Sequence, residues 1–517
     1  MMSIKKKALA PLAAATTVVL ALAGCGGASD GGSGGSGDGP ATAPMLRIGS
    51  LLEIQSWDPS QANEGHLTPM YQAVYDTLLK SEPDGTLAPM LATDWEWSED
   101  NLALTFTLRD DVTFSDGAVF DSATVKANIE NLQAGNGPLG TSLDSVVNVE
   151  TPDPTTAILR LEEPDPGLEE WLAGGSGYMA SPQALGTPGL TTMPVGSGPY
   201  VIDPANTVTG SKVSLDRNEN YWGDALPYDE VEFLMLADGT ARLNALKSGQ
   251  IDATVFNRTA DAVDAESSGL NHEPYYINFE GLLFFDRDGQ LQPEMADVRV
   301  REALAISIDT ESILEAVSLG RGELTNQTFG PDSTGYSEDL DTAYPYDPER
   351  AKELLAEAGA ENMSITLPTT TTFDPAIYNA IIQSWNDIGV DVQRYEWGPG
   401  EAIPSMLAGD YPISYMSLGQ RDSWNHIQFL IAPDAGWNPL NSQTPELDEL
   451  ITDVQYGATE EEQAQAAQAV NQYLVDEYWF FPFYRLAQSF YYNDSVEVQN
   501  QAEQAVPSIY NYRPTGQ

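Results

Sequence analysis

The residues best suited to hold or transform something are concentrated between Ser414 and Leu430. This run, SYMSLGQRDSWNHIQFL, places Tyr415, Arg421, Asp422, Trp424, Asn425 and His426 within seventeen positions. It offers an aromatic face, both signs of charge and one of only three histidines in the chain. Such a set suits the capture of a polar solute. A carboxylate takes an ammonium group through a charge-assisted hydrogen bond, a guanidinium takes an anion, and indole or phenol rings cover apolar or sugar surfaces. The alternative is a polar surface loop in which Asp422 simply pairs with Arg421. Covalent and metal chemistry are poorly served: His66, His272 and His426 are scattered without HExxH-type spacing, so neither a metal centre nor a histidine-based triad can be assembled locally. A hydrolase would need the three to meet in space. With 77 acidic residues, paired carboxylates say nothing specific about glycoside hydrolysis.

The elements that must position this run are those of a mixed α and β chain. A length of 517 residues exceeds what one hydrophobic core serves, so two or three domains are expected. Strand-like runs alternate with helical patterns, and no repeat period is visible. Leu102–Leu108 (LALTFTL) reads as a strand, and the turn residues around Val112–Phe114 make it half of a hairpin. Asp121 or Ser122 caps a helix carrying Val125, Ile129 and Leu132 on one face. Tyr346–Gly359 is the best-formed helix, with Asp347 at the cap, Pro348 in the first turn and Gly359 at the stop. Ile381–Ile388 gives another helix, leading through Gly389 into a strand. Residues 446–478 are mostly helical, and Phe480–Tyr492 reads as one aromatic strand returning through the core.

The N-terminus has its own logic. Lys5, Lys6 and Lys7 precede an apolar run from Ala8 to Ala23, too short to span a bilayer, which ends in Leu22-Ala23-Gly24-Cys25. This ending resembles the bacterial lipobox, which implies a signal peptide over residues 1–24 and lipid on Cys25, the only cysteine in the chain. A lone cysteine also excludes internal disulfides and cysteine-based metal sites. Residues 25–44 form a Gly/Ser-rich tether of roughly 25 Å root-mean-square span. Removal of the signal lysines leaves 20 basic residues against 77 acidic ones, a net charge near −57. That charge argues against nucleic acid and anionic lipid surfaces as partners and favours solubility.

Seven stretches occur in an order and spacing that resemble the bacterial extracellular solute-binding proteins of family 5, the dipeptide, oligopeptide and nickel-complex receptors of ABC importers. They are Leu87–Ala92 with Trp95, Leu104–Gly117 (LTFTLRDDVTFSDG), Val195–Tyr200 (VGSGPY), Arg217–Gly223 (RNENYWG), Leu246–Asp252 (LKSGQID), Asp297–Asp309 (DVRVREALAISID) and the Tyr346–Gly359 helix. The resemblance implies an α/β fold of the type II periplasmic-binding-protein class, two-lobed and hinged, with an extra inserted domain. Matching motifs assign the first lobe to residues 45–70, 192–290 and 487–517, the inserted domain to 71–191 and the second lobe to 291–486.

The same resemblance implies a non-enzymatic receptor without cofactor or bound metal. It would be a monomer, held outside the cytoplasm by its N-terminal lipid, delivering a small peptide to an ABC permease and its ATPase subunits. Asp422, with Phe429 seven positions on, stands where the family's peptide receptors carry the aspartate that pairs with the ligand's α-ammonium group. The expected Asp-Pro that follows it is replaced by Asn425-His426, and the family's usual Asn after the strand ending at Phe285 is Asp286. These departures leave oligosaccharide and metal-chelate receptors as alternatives, with His426 as a candidate chelate ligand. Further candidates are Arg421, Trp424, Trp397, Trp437 and Tyr415 around the ligand, Tyr484 and Arg485 for a carboxylate end or in a structural ion pair, and Glu53 and Gln55 beside the cleft.

Overall fold

The computed structural model describes residues 43–516, apart from 63, 64, 136, 257, 371, 399, 400 and 503. The signal segment, Cys25 and the tether up to residue 42 lie outside the described residues. Ala43–Ser50 is a strand whose Leu46 and Ile48 enter the core from one face. It lies inside a seven-stranded sheet, parallel to Tyr228–Met235 on one side and to Ala253–Val255 on the other. Lys212–Arg217 and Tyr200–Ile202 extend one edge; Gln488–Tyr492 and Asn271–Tyr275 form the other.

A second sheet is wholly antiparallel, in the spatial order Gly322–Leu324, Phe480–Leu486, Asn278–Phe284, Ile413–Gly419. Its central strand is apolar on both sides: Leu282 and Phe284 enter one core while Phe279 and Leu283 enter another. Burial on both faces explains why NFEGLLFF lacks the polar alternation of a half-exposed strand. The parallel pair Ser364–Thr369 and Asp391–Glu396 packs beside this sheet.

The chain passes between the two sheets at residues 276–277 and again at Ala487. The first crossing precedes the boundary drawn at residue 290, because Asn278–Phe284 finds its hydrogen-bonding partners in the second sheet. The aromatic run Phe480–Tyr492, expected as one strand, is likewise two, split at Ala487 and shared between the lobes.

The insertion has its own antiparallel sheet, Ala92–Trp97, Ala103–Leu108, Thr156–Leu161 and Val146–Asp153, with a separate core running from Leu78 to Met179. Leu104, Phe106 and Leu108 alternate into that core as LALTFTL requires. The partners of this strand are Ala92–Trp97 and Thr156–Leu161, so the hairpin with Val112–Phe114 does not form. Residues 112–120 instead fold back on themselves, the Phe114 amide donating to the Ala118 carbonyl. Helix starts follow their caps: Asp121 before Ser122–Ala134, Asp347 before Pro348–Ala358 and Asp374 before Pro375–Asp387. Gly359 closes the second of these at φ 71°, a conformation that costs glycine least.

Candidate functional site

Asp422 sits three residues beyond the Ile413–Gly419 strand and caps a single helical turn, Ser423–His426, which widens into a π turn over Ile427–Ile431. Its Oδ1 accepts from the amides of Trp424 at 3.0 Å and Asn425 at 3.4 Å. The Ser423 hydroxyl pins the turn to the 333–335 loop, bonding to Ser333 and Thr334 and accepting the Gly335 amide. Capping thus fixes one carboxylate oxygen and aims the other away from the turn. That second oxygen, Oδ2, is buried and meets no donor apart from the Glu170 carboxyl, although the residue as a whole is partly exposed.

Two carboxylates of the insertion meet Asp422. Asp165 and Glu170 flank the start of the Leu168–Ala173 helix, and both act on it. Burial pushes the Asp422 carboxyl above the usual carboxylate range, against the pull of Glu170 and the two amides. Burial also raises Asp165, with the Asp422 charge adding to the rise; the Ser145 hydroxyl, the Gly167 amide and the neighbouring Trp424 indole oppose it. Like charges at this range favour a shared proton over two ionised groups. The contact is close elsewhere too. Gly167 lies against Asn425 so tightly that a Cβ there would fall 2.3 Å from Oδ1, and Gln455 donates to the Pro164 carbonyl at 3.1 Å. Asn425 Oδ1 and Gln420 Oε1 are further buried acceptors, without a donor. Of the three, Asn425 Oδ1 and the Asp422 carboxyl face the insertion, whereas Gln420 Oε1 packs against Gly330.

Arg421 does not pair with Asp422. Its guanidinium lies over Phe429 at 4.5 Å and near Trp171 at 6.0 Å, which removes the surface ion-pair reading of this stretch. His426 is fully buried, with Nε2 2.9 Å from the Thr328 hydroxyl, and its pKa is pushed down to about 3 by burial and by Arg421. It is a neutral packing residue rather than a chelate ligand facing a cleft. Trp424, Trp397 and Trp437 are buried in the same core cluster; of these, Trp424 alone borders the carboxylates.

Arg485 is not offered to a ligand. Both its Nη atoms bond Asp341, at 2.9 and 3.2 Å, and Nη2 also reaches the Phe329 carbonyl at 3.1 Å. Tyr484 and Tyr415 touch through their hydroxyls at 3.2 Å, away from Asp422, beside Glu280. Glu53 and Gln55 lie on the loop after the first strand, Glu53 near the Gly210 turn and exposed Gln55 bonding the Glu53 carbonyl. Neither shares a hydrogen bond with the Asp422 group. Asp286 is consumed by the amides of Gln290, Leu291 and Gln292, so its departure from the family pattern shapes a loop and not a pocket.

The model of the bacterial extracellular solute-binding proteins, family 5, matches residues 86–439. The chain belongs to this family. Among curated relatives, heme-binding protein A of Haemophilus influenzae is 29% identical over 371 residues, covering 63% of this chain and 65% of that protein. Glutathione-binding protein GsiB of Salmonella paratyphi A is 28% identical, covering 73% of this chain and 72% of its own. The fold of DppA from Helicobacter pylori, solved in complex with peptide STSA, superposes with a TM-score of 0.76 at 20% identity over 92% of this chain and 99% of that one. The family 5 receptors are extracytoplasmic binding proteins of ABC importers and not enzymes, and the type II two-lobed fold is theirs.

The sequence pointed to Asp422 but not to Glu170, Asp165 or Gly167. Their only local signal is the Pro-Asp-Pro-Gly turn before a short acidic helix, which any helix start resembles.

Proposed function

We propose that this family 5 receptor captures a small peptide between its lobes, with the peptide's α-ammonium group held by Asp422 and screened by Glu170 and Asp165. The observation that supports the reading is the buried Asp422 Oδ2, which meets no cation and only another acid, Glu170, across the contact between lobe 2 and the insertion. Such an oxygen calls for a cation with several protons to donate, and an ammonium group brings three. Anionic solutes are disfavoured by three carboxylates in one place. Glutathione, the ligand in GsiB's name, is itself a tripeptide with a free α-ammonium, and DppA of Helicobacter pylori holds a peptide.

The receptor, a monomer tethered outside the cell membrane by lipid on Cys25, then hands the peptide to an ABC permease with its ATPase subunits. Native mass spectrometry of the purified mature protein tests the ligand class directly: a co-purifying mass equal to a peptide supports it, and a sugar or chelate mass refutes it. The lipid anchor has its own test. Cys25→Ser should release the protein into the medium, and retention on membranes would contradict the anchor.

A further inference from the structure

The Ile413–Gly419 strand ends between two carboxylates. Asp422 follows it on the side of the core that holds Trp424. Glu280, the cross-strand partner of Ser417, lies on the opposite side with Tyr415. Glu280 is 9% exposed, and its Oε2 accepts from the Tyr415 hydroxyl at 2.9 Å; the Tyr484 hydroxyl is 3.2 Å from that of Tyr415. Phe373 and Tyr378 stand edge-on to Tyr415 at 5.1 and 5.9 Å and complete an aromatic wall. Among the described residues no ion pair reaches Glu280. The nearby Arg394 is spent on Thr369 at 3.3 Å and Glu396 at 3.9 Å, while Asp374 adds negative charge beside Tyr484.

A carboxylate buried this far without a cation is expensive, and a glutamine would accept the same tyrosine hydrogen bond without that cost. What the carboxylate adds is charge. The parallel strands Ser364–Thr369 and Asp391–Glu396 end close by, with the Thr370 amide donating to the Tyr378 hydroxyl and Phe373 packing on Tyr415, and the carboxyl ends of parallel strands are a common place for a crevice. Ser417 and Asp422 are five residues apart, at most about 18 Å of chain, which a short extended peptide with a long side chain can bridge.

We propose that Glu280, walled by Tyr415, Tyr484 and Phe373, is a second subsite that takes the ammonium or guanidinium of a basic side chain, so that the receptor prefers lysine- or arginine-containing peptides. The assignment rests on the peptide reading for its choice of ligand. Burial raises the Glu280 carboxyl to about 7, opposed by the Tyr415 and Ser417 hydroxyls. An arriving cation ionises it, and the proton leaves to solvent. The preference for a basic side chain is therefore weak below that pH and grows as the pH rises through it.

Isothermal titration of the mature protein with Ala-Ala-Ala, Lys-Ala-Ala, Ala-Lys-Ala and Ala-Ala-Lys reads this out. At pH 8 at least one lysine peptide should bind tenfold or more tightly than Ala-Ala-Ala, and the ratio should shrink at pH 6. Glu280→Gln should collapse the ratio to within threefold, and Glu280→Asp should restore part of it. A ratio unchanged in Glu280→Gln, or absent from the wild type, overturns the subsite. Asp422→Asn separates the two proposals, because it should weaken all four peptides alike. If it has no effect while Glu280→Gln collapses the ratio, the α-ammonium anchor fails and the subsite stands. If none of the four peptides binds, both fall.

Discussion

Replacing Asp422 by asparagine changes one oxygen for an NH2 group and should separate binding from folding. In the empty protein the carboxylate faces Glu170 and Asp165, and its pKa is raised by burial. A carboxyl raised in the folded state lowers stability as the pH climbs from the unfolded value through the folded one. Asparagine removes that penalty and retains an oxygen able to cap Trp424 and Asn425, so the ligand-free melting point should stay level or rise slightly. In the complex the balance reverses. The ammonium loses its buried counter-charge and meets a neutral amide, and breaking a buried pair from one side costs about 3 kcal/mol or more. That corresponds to about a 150-fold loss of affinity at 1.4 kcal/mol per decade. Titration with a tripeptide at pH 7.5, paired with melting curves with and without peptide, measures both quantities. For a ligand at 100 times its dissociation constant, the wild type should gain about 2.7 kcal/mol and the variant almost nothing at the same concentration. An affinity within threefold of wild type would refute the anchor, as would a ligand-free melting point lowered by many degrees.

Two further substitutions probe how the site is held. Gly167→Ala puts a Cβ 2.3 Å from Asn425 Oδ1 at a backbone φ of −91° that alanine tolerates, so it should block the contact between the insertion and lobe 2 without harming folding. Peptide affinity should fall tenfold or more and the peptide-bound radius of gyration in X-ray scattering should grow; an unaltered affinity would show that this contact is not part of the bound state. Arg485→Met strips the guanidinium from Asp341 and should cost about 3 kcal/mol. Lobe 2 should then melt roughly 6–12 °C lower with peptide affinity within twofold of wild type. Lost affinity at an unchanged melting point would return Arg485 to the ligand.

Local chemistry makes parts of this architecture readable in the sequence alone. Asp347, Pro348 and Gly359 mark their helix because capping, N1 proline and the left-handed stop are decided within a turn. The alternation of Leu104, Phe106 and Leu108 marks a strand for the same reason. Strand partners are a different matter: Val112–Phe114 was the nearest candidate in sequence, yet Thr156–Leu161 won because it offered a longer matching apolar face. Ala487 shows a similar limit, since nothing in an aromatic run says that its halves serve different sheets. In the site, Asp422 stood out through its resemblance to the aspartate of the family's peptide receptors. Its partners Asp165 and Glu170 lie some 250 residues earlier, and only the approach of the insertion to lobe 2 brings them there. Arg485 carried the right charge for a ligand, but Asp341 was one of many acids that sequence could not rank.

In the proposed complex the bound molecule is recognised by its α-ammonium group at Asp422. Titrating the mature protein with Ala-Ala-Ala and with N-acetyl-Ala-Ala-Ala tests it most directly, because acetylation removes that charge and two of its donors while leaving the rest of the peptide intact. The acetylated peptide should bind at least 100-fold more weakly, and equal affinity for the two would contradict the account.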